Sequence, residues 1–168
     1  MSHRMTPLVG AYDDPEHWQA FEALLREYAV RDLAQPHLST IWRDLENLPV
    51  RYAAPAGRAI LLYVDGDLAG CIALASTRVD GACEIKRLYV RHTHRGKGWG
   101  TVLMREALEC AREAGYGQAV LSTWPDNPKA LALYASMGFV TVAPFKDSPD
   151  QDLVYLGCLL RLDRADGR

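Results

Sequence analysis

The sequence predicts an α/β (α+β) domain with a mixed, mostly antiparallel sheet of about six to seven strands flanked by helices. Three observations carry this. Apolar residues recur with a helical period from Trp18 to Ala29, the period then shortens across Ala59 to Val90, and helix-like and strand-like segments alternate after that. A length of 168 residues is a prior for one domain, and 49% apolar with 24% charged residues excludes disordered, collagen-like and fibrous classes.

The elements follow in order. Pro7 to Tyr12 reads as extended. Asp13 and Asp14 before Pro15 start a helix, which Trp18, Phe21, Leu24, Leu25, Tyr28 and Ala29 carry to about Arg31 with one buried face. A second, shorter helix is expected from Thr40 to about Asn47, opened by Ser39 and closed before Pro49. Val50 to Gly57 then reads as a loop. Ala59–Val64, Leu68–Ser76 and Cys83–Val90 are short apolar or alternating runs separated by DGD and VDGA, so they form an antiparallel meander. Ile85 and Leu88 are three apart where alternation asks for two, which predicts a bulge or twist. A helix opens at about Gly98 with Leu103, Ala107, Cys110, Ala111 and Ala114 inward and Arg105, Glu109 and Arg112 outward. Gly115 stops it. Ala119–Thr123 is a buried strand, Pro128–Met137 a helix ending at Gly138, Phe139–Val142 a strand and Leu153–Leu162 the last strand.

Nineteen basic against 21 acidic side chains, a net charge of -2, exclude a dedicated polyanion-binding protein, so no nucleic-acid partner is expected. No apolar run approaches the ~20 residues of a membrane span, and the N-terminal segment has no basic head followed by an apolar core. A cytoplasmic protein without a membrane partner is expected. Cysteines at 71, 83, 110 and 158 are spaced too widely and irregularly for a zinc pattern or a small disulfide framework. They read as buried free thiols, with no metal site. The charge is unevenly spread: Ile85 to Arg105 holds six Lys or Arg and no acidic residue, leaving 13 basic against 21 acidic elsewhere.

That basic stretch overlaps RLYVRHTHRGKGWGTVLMREAL, Arg87 to Leu108, where a strand enters a loop with glycines at 96, 98 and 100 and passes directly into a helix. Backbone N–H groups converge there at the positive end of the helix dipole, and glycines allow a phosphate close approach. Arg95 and Lys97 add cationic contacts. An anion site follows, suited to a pyrophosphate. The string G-x-x-x-x-G-K-[ST] is absent, and G-K-G-W-G after a meander is not the dinucleotide fingerprint. Arg95, Gly98 and Gly100 instead match R/Q-x-x-G-x-G/A, and DNPKALALYASMGF supplies Asn127, Tyr134, Gly138 and Phe139 of a second signature. On these motifs the chain resembles the GNAT superfamily of acetyl-CoA-dependent N-acetyltransferases, over nearly its whole length. The segment from Tyr28 to Tyr52, with Asp32, Gln35, His37 and Asp44, resembles a bacterial subgroup of it.

The resemblance implies a single domain over 1–168: an acceptor-side helical part at 6–58, a cofactor-binding core at 59–142 and a C-terminal loop and strand at 143–168. It implies transfer of the acetyl group of acetyl-CoA, without a metal, to a primary amine by direct attack in a ternary complex. Coenzyme A pyrophosphate would lie on the amides of Arg95, Gly96, Lys97, Gly98, Trp99, Gly100 and Thr101. Pantetheine would run along Leu88, Tyr89 and Val90, with the Val90 amide near the thioester carbonyl. Asn127 would hold pantetheine or the helix start, and Trp99 would also pack the loop helix on the sheet. Tyr134 is the candidate acid for the departing thiolate, or else a packing residue. Glu84 is the candidate base through water, or else a strand carboxylate paired with Lys86 or Arg87. His92 and His94 read as phosphate contacts or exposed side chains, and Trp124 as an acceptor or core contact. The loop from Ala143 to Gln151 places Asp147 and Asp150, followed by Asp152, around Phe145. This is either an acidic rim for a cationic small amine or a solvated loop. A protein lysine or N-terminal acetyltransferase and a non-catalytic acyl-CoA sensor are the competing readings. A homodimer fits similar proteins.

Overall fold

A computed structural model describes residues 5–9, 14–33 and 35–161, with 5–9 as backbone alone. Its strands are β1 (Met5–Val9), β2 (Arg58–Val64), β3 (Asp67–Ser76), β4 (Ala82–Val90), β5 (Gln118–Thr123), β6 (Val140–Thr141) and β7 (Val154–Leu159). Its helices are α1 (Pro15–Arg31), α2 (Ile41–Glu46), α3 (Leu48–Tyr52), α4 (Trp99–Glu113) and α5 (Pro128–Ser136). The strands form one sheet in the order β1-β2-β3-β4-β5-β7-β6. Every neighbouring pair is antiparallel except β4 and β5, so the sheet is mixed and mostly antiparallel as expected.

Local chemistry accounts for most boundaries. The Asp14 carboxylate accepts the Glu16 N–H at 2.9 Å and opens α1, while Pro15 occupies the first turn, where its missing N–H costs nothing. Phe21, Leu24 and Leu25 are fully buried on this helix, and Trp18 and Tyr28 half-buried. Gly10 to Asp13 of the expected extended start and helix signal lie outside the described residues. The Ser39 hydroxyl accepts the Ile41 N–H at 3.1 Å at the start of α2.

Pro49 does not end the helical region. It sits in the first turn of α3, where Asn47 accepts the Val50 N–H at 3.4 Å, so Val50 to Tyr52 are helical and the loop starts only at Ala53. Towards the C-terminus, β6 is confined to Val140–Thr141, because the Phe139 N–H closes α5 on the Tyr134 carbonyl at 3.1 Å. Strand β7 ends at Leu159, and Leu162 lies outside the described residues.

Alternation along β2 divides the core between the two faces of the sheet. Ile60 and Leu62 join Ile72, Leu74, Leu103, Met104 and Ala107 under α4. Leu61 joins Phe21, Leu25, Ile41, Tyr52, Cys71 and Tyr89 under the N-terminal helices. All four cysteines are buried free thiols.

The expected bulge is present in β4. Cys71 and Ala73 of β3 face Tyr89 and Lys86, so three steps of β4 oppose two of β3, and Arg87 takes a φ of 62°. A non-glycine residue in this region is strained and needs outside support. Asp44 of α2 provides it. Its Oδ2 accepts Arg87 Nη2 at 2.7 Å and Nε at 3.1 Å, and it also accepts the hydroxyl of fully buried Tyr52. The Thr40 hydroxyl accepts a further Arg87 N–H at 2.8 Å.

Burial alone would raise the Asp44 pKa, but Arg87, Lys86 and the Tyr52 hydroxyl outweigh it and hold the carboxyl below its usual value. Replacing Asp44 with Ala leaves Arg87 buried without a countercharge and is expected to cost about 3 to 5 kcal/mol in urea unfolding. The native pair contributes stability above the unfolded carboxyl pKa of ~3.9, and that contribution falls away as pH drops through the lower folded-state value. Asp44→Asn is therefore expected to flatten the acid limb of stability against pH.

Candidate functional site

Strand β4 leaves β5 part-way along its length. Their parallel pairing covers Ala82↔Gln118, Cys83↔Ala119 and Glu84↔Val120 and stops there. Beyond Glu84 the strands enclose a cleft of about 630 Å³, lined by Arg87 and Leu88 on one side, Leu121 and Thr123 on the other, and Leu133 and Tyr134 of α5. The Arg91 N–H donates to Ala69 of β3 at 2.8 Å, so alternation turns the Val90 N–H away from β3, toward the side β5 has vacated. The Val90 carbonyl on that side accepts Arg95 Nε at 2.7 Å.

The glycine loop ends beside this cleft. Gly96 and Gly98 have φ values of 77° and 82°, which a side chain would strain. Gly98 precedes α4 and has no side chain to cap it, so the first-turn N–H groups of Trp99, Gly100 and Thr101 are unused by the helix. A Cβ on Gly96 or Gly98 would meet nothing within 4 Å, so the space in front of the loop is open. Unused amides, a positive helix end and open space fit a pyrophosphate. Trp99 is half-buried against the core under α4.

The Arg95 guanidinium forms an ion pair with Asp32 at the end of α1 and lies 5.7 Å from the centroid of the buried Tyr89 ring. Its side chain stays 39% exposed and lines the larger cleft, so it stands with the backbone amides and the exposed Lys97 among the loop's anion donors. His92 is exposed with Nε2 3.5 Å from Asp32, and His94 Nδ1 is 3.1 Å from the Thr93 hydroxyl.

Asn127 and Tyr134 both belong to α5 and its cap. Asn127 Oδ1 accepts the Ala130 N–H at 3.2 Å, so its side chain serves the helix start, one of its two expected roles. Tyr134 is half-buried, with its ring 6.1 Å from that of Phe139. Burial pushes its phenol up to about 12, with Tyr28 as a lesser cause.

A second, smaller compartment of about 130 Å³ opens beside the first, between Tyr28, Ser39 and Thr40 on the helical side and residues 146–150 on the other. The two share Tyr28, Ile85, Lys86, Arg87, Ser122 and Trp124, and so adjoin. Glu84 lies at the floor of the smaller one and is 3% exposed. It pairs closely with Lys146, and Arg51 Nη2 is 3.8 Å away. Lys86 and Arg87, its expected partners, are drawn instead to Asp44.

Of the expected acidic rim, Asp147 and Asp152 are exposed, and Asp147 lines the smaller compartment. Asp150 is buried and accepts the Trp124 indole N–H and the Asp152 N–H, so it shapes the loop. Arg51, Lys86 and Lys146 were not among the candidates from sequence. Two of them lie outside any motif, and Lys86 was read only as part of the basic run and as a partner for Glu84.

Among the described residues, no group of three or more His, Cys, Asp or Glu is placed to hold a metal ion, and no helix is long and apolar enough to cross a membrane. The comparisons with known proteins agree with this geometry. A Schizosaccharomyces pombe protein named an uncharacterized N-acetyltransferase is 30% identical over 149 residues, covering 88% of this chain and 91% of its own. Streptothricin acetyltransferase of Streptomyces lavendulae is 43% identical over 80 residues, covering 48% of this chain and 42% of its own. The crystal structure of a Bacillus subtilis acetyltransferase in complex with CoA superposes with a TM-score of 0.64 at 21% identity, over 94% of this chain and 100% of that one. Residues 18–139, which include the meander, the glycine loop and α5, match the model of the acetyltransferase (GNAT) family, and the chain belongs to that family of acyltransferases.

Proposed function

We propose that the protein transfers the acetyl group of acetyl-CoA to the primary amine of a small molecule, by direct attack in a ternary complex. The observation that carries this is the adjacency of two compartments at Ile85 to Arg87, one beside the glycine loop and the other small and bordered by residues 146–150. An extended peptide acceptor would need a longer groove. The CoA-bound relative and the acetyltransferase named for streptothricin support the two halves of the reading.

Bound in the larger cleft, acetyl-CoA supplies an acyl group activated as a thioester. The first-turn amides of α4 hold its pyrophosphate, and the open edge of β4 aligns its pantetheine arm. The Val90 N–H is placed to donate to the thioester carbonyl, where negative charge develops. An alkyl ammonium has a pKa near ~10, so the acceptor must lose a proton before it attacks. Glu84, fixed by Lys146 and Arg51, takes that proton through water. Tyr134 Oη, kept protonated by burial, returns one to the departing sulfur.

Thiol release from acetyl-CoA across a panel of small amines tests the reading, and tight coenzyme A binding with no release for any amine would make the protein a sensor. Tyr134→Phe is expected to lower kcat by about 100-fold or more with a much smaller change in the KM for acetyl-CoA. Equal changes in both would reduce Tyr134 to packing. Glu84→Gln is expected to lower kcat by a similar factor, about 100-fold, and to change the pH–rate profile. A profile identical to that of the wild type would remove Glu84 as the base.

A further inference from the structure

Neighbouring residues of a regular strand point to opposite faces of the sheet. Strand β4 breaks this rule once. Cys83 and Ile85 belong to the core under α4, whereas Lys86 and Arg87 both reach Asp44 on the side of the N-terminal helices. Leu88 then returns to the α4 side, and Tyr89 joins the helical one. Two consecutive residues on one face mark the place where the bulge takes up its extra residue. Such an insertion reverses the alternation of everything that follows it. With residue 87 extended, Tyr89 would face α4, and the Val90 N–H would turn to β3 and away from the open edge.

The conformation that sets this phase is costly, and it is held from outside the strand. Arg87 has a φ of 62°, where a side chain is strained. Its carbonyl accepts the thiol of the fully buried Cys71 at 3.4 Å. Its side chain is 8% exposed and gives Nε and Nη2 to Asp44 Oδ2, with Nη2 also donating to the Thr40 hydroxyl. The Tyr52 hydroxyl donates to the same Asp44 oxygen, so the carboxylate is itself fixed. Arg87 borders both compartments, yet the nitrogens that could meet a ligand side-on are committed to Asp44. The side chain acts as a handle on its own backbone.

We infer that Asp44 is a positioning residue for acetyl transfer: through Arg87 it fixes the phase of β4 beyond the bulge and so aims the Val90 N–H at the thioester. This rests on the acetyltransferase reading above and adds to it a residue that lines neither compartment.

The test is a rescue by glycine, which takes a positive φ without strain and needs no handle. In Asp44→Asn, kcat for thiol release from acetyl-CoA is expected to fall about tenfold, and calorimetry to find acetyl-CoA bound about fivefold more weakly. Adding Arg87→Gly to that variant is expected to restore most of both. Thermal unfolding establishes which variants are folded. A folded Asp44→Asn with the wild-type kcat and affinity would overturn the role of Asp44, since a purely structural bracket moves the unfolding temperature alone. A loss that Arg87→Gly does not recover overturns the route through residue 87. If Asp44→Asn does not fold, Arg87→Gly and Arg87→Ala decide, because both lack the buried cation and only glycine is free of strain. A kcat about fivefold or more higher with glycine supports the role, and equal values overturn it. No thiol release with any amine overturns the acetyltransferase reading, and the acetyl-CoA affinities of the same variants then decide the positioning by themselves.

Discussion

Strand β4 has a neighbour on each edge and keeps only one of them along its whole length. The bulge at Arg87 falls just past Glu84↔Val120, the last pair with β5, and from there the edge facing β5 is open. A regular ladder on both sides would use the backbone groups that the cleft exposes. The site therefore depends on a strained residue being held in place, and Asp44 holds it from a helix 43 residues earlier in the chain. This makes the N-terminal helices part of the cleft's construction as well as a wall of the second compartment. Tyr52 belongs to the same bracket and is fully buried beneath it, which ties the core on that face to the geometry of β4.

Charge in the molecule is organised by pairing. The near balance of 19 basic and 21 acidic residues conceals a basic stretch from Ile85 to Arg105, whose cations do different work. Arg95 is committed to Asp32, Arg91 to Glu27 at 2.8 Å, and Arg87 to Asp44, so three of them fasten strand and loop to α1 and α2. Beside the part-exposed Arg95 and Lys97, the anion site of the loop offers neutral N–H donors at a helix end. Such donors are held by the fold and need no ordering of a long side chain on binding.

The helices α1 and α4, the meander, the bulge and the glycine loop were legible because each is written in a short stretch. A capping aspartate before a proline, a three-residue spacing in a strand, and glycines ahead of an amphipathic run act over a few residues. Pro49 misled for a local reason too, since proline both stops a helix and opens one, and only the cap from Asn47 tells the two apart. The ion pairs could not be read in the same way. Lys146 reaches Glu84 across 62 residues of sequence and Arg95 reaches Asp32 across 63, and no spacing rule connects such positions. Asp150 looked like part of an exposed acidic rim because its partner, Trp124, comes from another element.

Burial has opposite consequences for the two ionisable side chains that border the shared space. It disfavours charge in each case. For Tyr134 the neutral form carries the proton, and a phenol pushed up to about 12 stays a donor throughout the neutral range. For Lys86 the charged form carries it, and burial, followed by the Arg87 charge, lowers the ammonium to about 8. The first group needs nothing from a ligand to remain in its working state. The second keeps its charge with the help of the Glu84 and Asp44 carboxylates, which act against burial and the Arg87 charge.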